Sequence, residues 1–143
     1  MTHSSKWARM DWPLLINALA ACQYLLLPVQ TEFLALKGLE RMMRTLQMVM
    51  KSQKRELPYC VIPTMFDRRT QASVGSLRQL RQTYEGQIWP AAIGVDTKLR
   101  DASRAGLPPN AYDSGSRGVK AYASLLKYLL TQETTEVRRQ LVP

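Results

Sequence analysis

The sequence predicts an α/β fold in three layers: a parallel sheet of about three strands, flanked by helices on both faces. Two observations carry that expectation. Short apolar runs of strand length alternate with longer stretches whose apolar residues recur at three- and four-residue steps. The resulting order of helix, strand, helix, strand, helix, strand, loop and helix requires crossover connections, which make strands parallel.

The elements follow in chain order. Residues 1–10 show no periodicity and read as a poorly ordered lead-in. Pro13 to Gln23 suits a short apolar helix. Tyr24 to Val29 is continuously apolar, the pattern of a strand buried on both faces. Thr31 offers an N-cap to a helix whose Leu36, Leu39, Met43, Leu46 and Met50 line one side. The charged stretch Lys51 to Glu56 leads out of it, and Leu57 to Ile62 forms a second strand ending at Pro63. Ser73 is placed to cap a third helix, with Val74, Leu77, Leu80 and Tyr84 on its apolar face and Gly86 beyond its end. Ile88 to Ile93 makes the third strand. Gly94 to Gly118 reads as a long polar loop, and a final helix from Arg117 to Thr131 precedes a tail. One domain over 11–131 is expected, with a tail over 132–143. A three-strand sheet leaves a long apolar edge, which natural folds cover, so the fold is expected to be incomplete.

Composition narrows the function classes. With 143 residues, 45% apolar and 22% charged, the chain is suited to globular folding. Cys22 and Cys60 have no C-x-x-C spacing and His3 is the single histidine, so no zinc site is expected. Two cysteines are too few for a disulfide scaffold, which favours a reducing, cytoplasmic setting. Twenty Lys and Arg against eleven Asp and Glu give a net charge of +9, which favours polyanionic partners such as nucleic acid. Leu19-Ala-Ala-Cys22 has the form of a lipoprotein cleavage site, so a lipid-anchored envelope protein is an alternative, opposed by Asp11 before the apolar stretch. Pro13 to Val29 is 17 residues and includes Asn17, Gln23 and Pro28, so no transmembrane span is expected.

The sequence contains no G-x-x-x-x-G-K-[ST], G-x-G-x-x-G, G-x-S-x-G or H-E-x-x-H. The acidic residues are scattered, so no catalytic residues and no metal ligands are assigned. Two segments stand out at the C-terminal ends of expected strands, where ligand crevices of open α/β sheets lie: Pro28 to Gly38 and Ile62 to Thr70. Both resemble the ParA/Soj branch of the deviant Walker ATPases, a group that includes MinD-like proteins. Ile16-Asn-Ala-Leu-Ala20 is similar to the helix after that family's second acidic motif. Tyr112-Asp113, Ser116-Arg-Gly118 and Ala121-Tyr122 are similar to the start of its last helix. Met10-Asp-Trp-Pro13 resembles a worn D-x-P-P motif.

The resemblance covers roughly residues 11–130 and implies a P-loop NTPase-like fold, of which the chain matches the C-terminal part. It implies ATP and magnesium as cofactors of intact members. For this chain alone no cofactor and no autonomous hydrolysis are expected, because the phosphate loop is missing. The adenine side of the family's nucleotide site maps onto Pro63, Thr64 and Met65 and onto Gly94, Val95 and Asp96, although Ile93-Gly-Val-Asp96 departs from the family's usual I-P-R-N. Non-specific DNA binding maps onto Lys98, the leading candidate, with Arg100, Arg104, Arg68 and Arg69. A partner or dimer surface maps onto Glu32 to Lys37. The function implied is chromosome or plasmid partitioning, or cellular positioning, by a nucleoid-associated cytoplasmic protein. The implied partners are DNA, a ParB-like or polar-machinery protein, and a second subunit in intact relatives. Either the chain is a truncated member acting as a binding module, or it is part of an intact ATPase.

Overall fold

A computed structural model describes the backbone of residues 12–141 and the side chains of 13–132. The expected lead-in at 1–10, together with His3 and Asp11, lies outside the described residues, as do the side chains of 133–143.

The first helix, α1, spans Trp12–Ala21, with Pro13 in its first turn, where a missing N–H costs little. Its last carbonyls are satisfied from a distance. The Arg55 guanidinium donates to the carbonyls of Leu19 and Ala20 at 3.2 Å and of Cys22 at 2.9 Å. Strand β1 is Leu25–Gln30 and strand β2 is Tyr59–Thr64, paired in parallel with Leu25 opposite Tyr59 and Gln30 opposite Thr64. Helix α2, Phe33–Gln53, crosses between them and buries Leu36, Leu39, Met43, Leu46 and Val49, the face its periodicity predicts. Lys54 closes it in a left-handed conformation at φ 51°, its N–H bonding to the carbonyls of Met50 and Lys51.

Two expected caps are corrected. Glu32, not Thr31, is the N-cap of α2, and it makes no side-chain cap bond. Thr31 is instead buried, its N–H bonded to the Thr64 carbonyl at 3.0 Å and its hydroxyl 2.7 Å from Ser73 Oγ. Helix α3, Gln71–Thr83, is capped by Thr70, whose hydroxyl accepts from the Ser73 N–H at 3.3 Å. Ser73 lies inside the helix, and its Oγ accepts from the Asp67 N–H at 3.0 Å. Both hydroxyls were drawn inward to satisfy buried backbone where β1 and β2 end.

The third strand does not form as a regular element. The Val61 N–H donates to Gln87 O at 2.8 Å and the Trp89 N–H to Val61 O at 2.9 Å. The next rung would need an N–H on Pro63, which has none. The chain therefore loops out through Pro90 to Ala92 and returns with the Ile93 N–H on Pro63 O at 2.9 Å and the Phe66 N–H on Ile93 O at 3.0 Å. What remains are two isolated parallel bridges, Val61 to Ile88 and Phe66 to Gly94, beside a two-stranded sheet.

The expected loop at 94–118 contains two helices, α4 over Thr97–Ala105 and α5 over Pro109–Tyr112. Gly106, at φ 67°, ends α4. Helix α6 starts at Arg117 as expected and runs on to Leu141, across most of the expected tail.

The sheet has a core on each face. On one, Leu27, Val29 and Val61 pack with Leu19 of α1, the buried side of α2, and Leu80 and Tyr84. On the other, Cys60 and Ile62 pack with Trp89, Ile93 and Leu125, backed by Ala121, Tyr128 and Leu129 of α6. β1 is buried on the first face alone: Leu26 is 43% exposed and Pro28 is exposed. The expected burial of that strand on both faces is thus corrected, because the second core extends over β2 and stops short of β1.

Candidate functional site

The C-terminal ends of the strands gather the segments that the sequence singles out. The Phe66 to Gly94 bridge joins the loop after β2 to the start of α4, and the Val95 N–H on Phe66 O at 3.0 Å secures the join. This brings the triplet Pro63, Thr64, Met65 beside the triplet Gly94, Val95, Asp96. It also sets Arg68 and Arg69 on a loop tied to the chain that enters α4.

The chemistry of the two triplets is largely structural. Pro63 is fully buried and its carbonyl is taken by Ile93. The Thr64 carbonyl is taken by Thr31. Met65 is 52% exposed and holds a positive φ of 53°, a sparsely populated conformation for a non-glycine residue. Asp96 is committed at both carboxylate oxygens: Oδ1 accepts from the Lys98 N–H at 3.0 Å, as the N-cap of α4, and Oδ2 from the Gly118 N–H at 2.7 Å. Those backbone N–H groups, with lesser help from the charges of Arg117 and Lys98, hold its carboxyl below the usual range. Asp96 is therefore the latch between α4 and α6. The seam is tight: a Cβ on Gly118 would lie 2.9 Å from Leu99 Cδ1 and Cγ.

These residues do not fit a nucleotide. The sequence offers no glycine-rich cradle with a lysine for phosphates, and on the adenine side the Pro63 ring and the Asp96 carboxylate are already used within the fold. Among the described residues, no cluster of three His, Cys, Asp or Glu could hold a metal ion.

The basic residues divide by their partners. Arg69 makes a two-pronged ion pair with Asp67, Nε to Oδ1 and Nη2 to Oδ2, both at 2.9 Å, and its N–H also donates to Oδ1 at 3.0 Å. That hydrogen bonding lowers the Asp67 carboxyl to about 2. Lys98 Nζ stands 3.9 Å from Asp113 Oδ2. None of the ion pairs among the described residues engages Arg68, Arg100 or Arg104, and all three are exposed. Arg100 and Arg104 are four residues apart on α4 and share a face. Lys98 is rotated about 200° from Arg100 around the helix, so it leans toward Asp113 rather than joining them.

Arg117 is a residue that sequence reasoning did not assign to the basic surface. It is exposed at the first position of α6, and its charge acts on Asp96. Position in the chain gives little hint of this, because α4 and α6 meet through the Asp96 latch and the Leu99–Gly118 contact, which join residues about 20 positions apart.

The Glu32 to Lys37 segment forms the first turns of α2. Lys37 Nζ pairs with Glu40 at 3.2 Å and lies 5.7 Å from the Phe33 ring centre. Phe33 and Leu34 are 67% and 73% exposed, an apolar pair beside Glu32. An open cleft along α3, lined by Phe66, Leu77, Arg78 and Arg81, contains none of the expected nucleotide or DNA residues. No helix among the described residues is long and apolar enough to cross a membrane.

No protein-family model matches the chain. Among curated proteins, it is 32% identical over 115 residues to the sporulation initiation inhibitor protein Soj of Bacillus subtilis, covering 80% of this chain and 46% of that protein. It is 31% identical over 121 residues to the chromosome partitioning protein ParA of Caulobacter vibrioides, covering 84% and 45%. A chromosome-partitioning ATPase Soj of Thermus thermophilus is 29% identical over 121 residues, covering 84% and 49%. The chain thus spans about half the length of the curated relatives it matches.

Proposed function

Since the chain belongs to the ParA/Soj family of partitioning proteins, matching its C-terminal portion, we propose that it serves partitioning or positioning as a DNA-binding module that hydrolyses no ATP by itself. The observation that carries this reading is the pair Arg100 and Arg104, exposed on one face of α4 and free of carboxylate partners among the described residues. Arg68 on the adjoining loop and Arg117 at the head of α6 extend the basic surface at the same end of the sheet.

Such a surface contacts phosphates and reads no bases. Guanidinium groups on an exposed helix face neutralise the duplex backbone and release counterions, giving affinity without sequence preference. Nucleoid association in the cytoplasm follows from that mode of binding. A partner of the ParB or polar-machinery kind fits the exposed Phe33 and Leu34, flanked by Glu32 and Lys37.

The test is fluorescence anisotropy with two duplexes of unrelated sequence. Equal affinity for both is expected, with at least a tenfold loss in Arg100→Glu/Arg104→Glu. Undiminished binding in that variant sinks the assigned surface, and strong preference for one duplex sinks the backbone-reading mode.

A further inference from the structure

Helix α3 borders a cleft that neither the sheet nor the basic surface uses. Val74, Leu77, Arg78 and Arg81 follow one another at one- to four-residue steps and form one wall, joined by Phe66 from the loop after β2 and by Glu85 beyond the helix end. The cavity is about 470 Å³, within the size range of ligand sites, and the wall from Val74 to Arg81 is about 10 Å long. Leu77 is buried, and Phe66 and Val74 are half-buried, so the floor is apolar. Arg78 and Arg81 are exposed, and neither makes an ion pair among the described residues. Arg81 is nevertheless held in place. Its Nη2 donates to the Pro90 carbonyl at 2.7 Å, and the guanidinium retains further N–H donors.

We infer that this cleft is a recognition groove for a short acidic segment of a partner protein. The segment seats an apolar side chain on Phe66, Val74 and Leu77 and sets the carboxylate of a neighbouring Asp or Glu against Arg78 and Arg81. Charge and shape select that occupant. Two guanidinium groups on adjacent turns, without carboxylates of their own, match the planar two-oxygen geometry of a carboxylate. The apolar floor beside them adds affinity for a side chain that a nucleic-acid backbone does not carry, and Glu85 at the end of the cleft repels a polyanion. The cleft is open along one side, so a small molecule would stay largely in water, whereas about three residues of extended peptide cover its length of about 10 Å. The groove is also pre-formed. The Phe66 N–H is bonded to Ile93 O and its carbonyl to the Val95 N–H, both at 3.0 Å, and Arg81 is tied to Pro90, so binding orders little that is not already ordered. Lys98, Arg100 and Arg104 take no part in it.

The full chain is probed at physiological salt with arrayed short peptides, each carrying one Leu, Ile, Val or Phe beside an Asp or Glu, and with the same peptides carrying Asn or Gln instead. Acidic members are expected to bind. The tightest of them, followed by fluorescence anisotropy, loses about tenfold in affinity in its amide form, and about tenfold when its apolar residue becomes Ser. Arg78→Glu, at an exposed site, weakens it about tenfold while circular dichroism stays unchanged. Arg44→Glu makes the same charge change at an exposed site on α2 and leaves binding within about twofold, as does Arg100→Glu/Arg104→Glu. Failure of every acidic peptide to bind, equal binding of the amide forms, or equal weakening by Arg44→Glu overturns the inference. So does displacement of the peptide by duplex DNA that persists in Arg100→Glu/Arg104→Glu, which would make the cleft a DNA contact.

Discussion

Replacing Asp96 with alanine removes both hydrogen bonds that its carboxylate makes, to Lys98 N at 3.0 Å and to Gly118 N at 2.7 Å. Loss of the N-cap costs about 1 kcal/mol. The short bond from the ionised carboxylate to the Gly118 amide contributes about 1.5 kcal/mol, near the low end for charged acceptors because the site is partly open to water. A total of about 2.5 kcal/mol lowers Tm by about 8 °C in a chain of this size. Asp96→Asn keeps a capping oxygen and loses the charge, so its Tm falls by about 3 °C. Thermal circular dichroism across pH adds a second criterion. The Asp96 carboxyl is lowered in the folded state, so its stabilisation is present above the unfolded value near 3.9 and is lost as pH falls through the folded value. The gap between wild type and Asp96→Ala therefore stays constant from pH 7 to about pH 5 and narrows below about pH 4. If the alanine and asparagine variants melt within about 1 °C of each other at pH 7, or the gap ignores acid, Asp96 is not a charged latch between α4 and α6.

Three further outcomes follow from the same geometry. In carbon-detected NMR the Asp67 carboxyl titrates near 2, and Arg69→Ala returns it toward the ordinary value near 3.8; an unmoved midpoint contradicts the two-pronged ion pair. Asp113→Asn releases Lys98 from its 3.9 Å partner and strengthens DNA binding about twofold at low salt, whereas weaker binding would show that the carboxylate orders the surface instead. Arg55→Ala strips the hydrogen bonds from the carbonyls of Leu19, Ala20 and Cys22 and lowers stability by about 1–2 kcal/mol in urea unfolding, with a change below about 0.3 kcal/mol counting against its role in holding α1.

Elements whose apolar residues face a core were legible in the sequence. The stripe Leu36, Leu39, Met43 and Leu46 places α2, and the run into Val29 places β1. What escaped depends on groups far apart in the chain. Helix α4 buries only Ala102, so it shows no apolar periodicity and reads as loop. The third strand carries the residues of a strand, but pairing fails opposite Pro63, a property of its neighbour rather than of Ile88 to Ile93. Thr31 and Ser73 have the side chains of helix caps, and tertiary burial turned both to backbone groups at the ends of β1 and β2. Of the candidate site, the gathering at one end of the sheet was legible from strand ends and motif spacing. The division of the cations was not, because Asp67, Asp113 and Asp96 choose their partners only once the loops have folded.

The most direct test of a DNA-binding module without its own nucleotide chemistry is a salt series of duplex affinity, recorded with and without ATP and magnesium. The predicted result is one straight line of log K against log salt, with a slope of about −3 for three to four phosphate contacts, the same in both conditions. A line that shifts upward on adding ATP would contradict the account, because it would require a working nucleotide site in a chain with no phosphate loop.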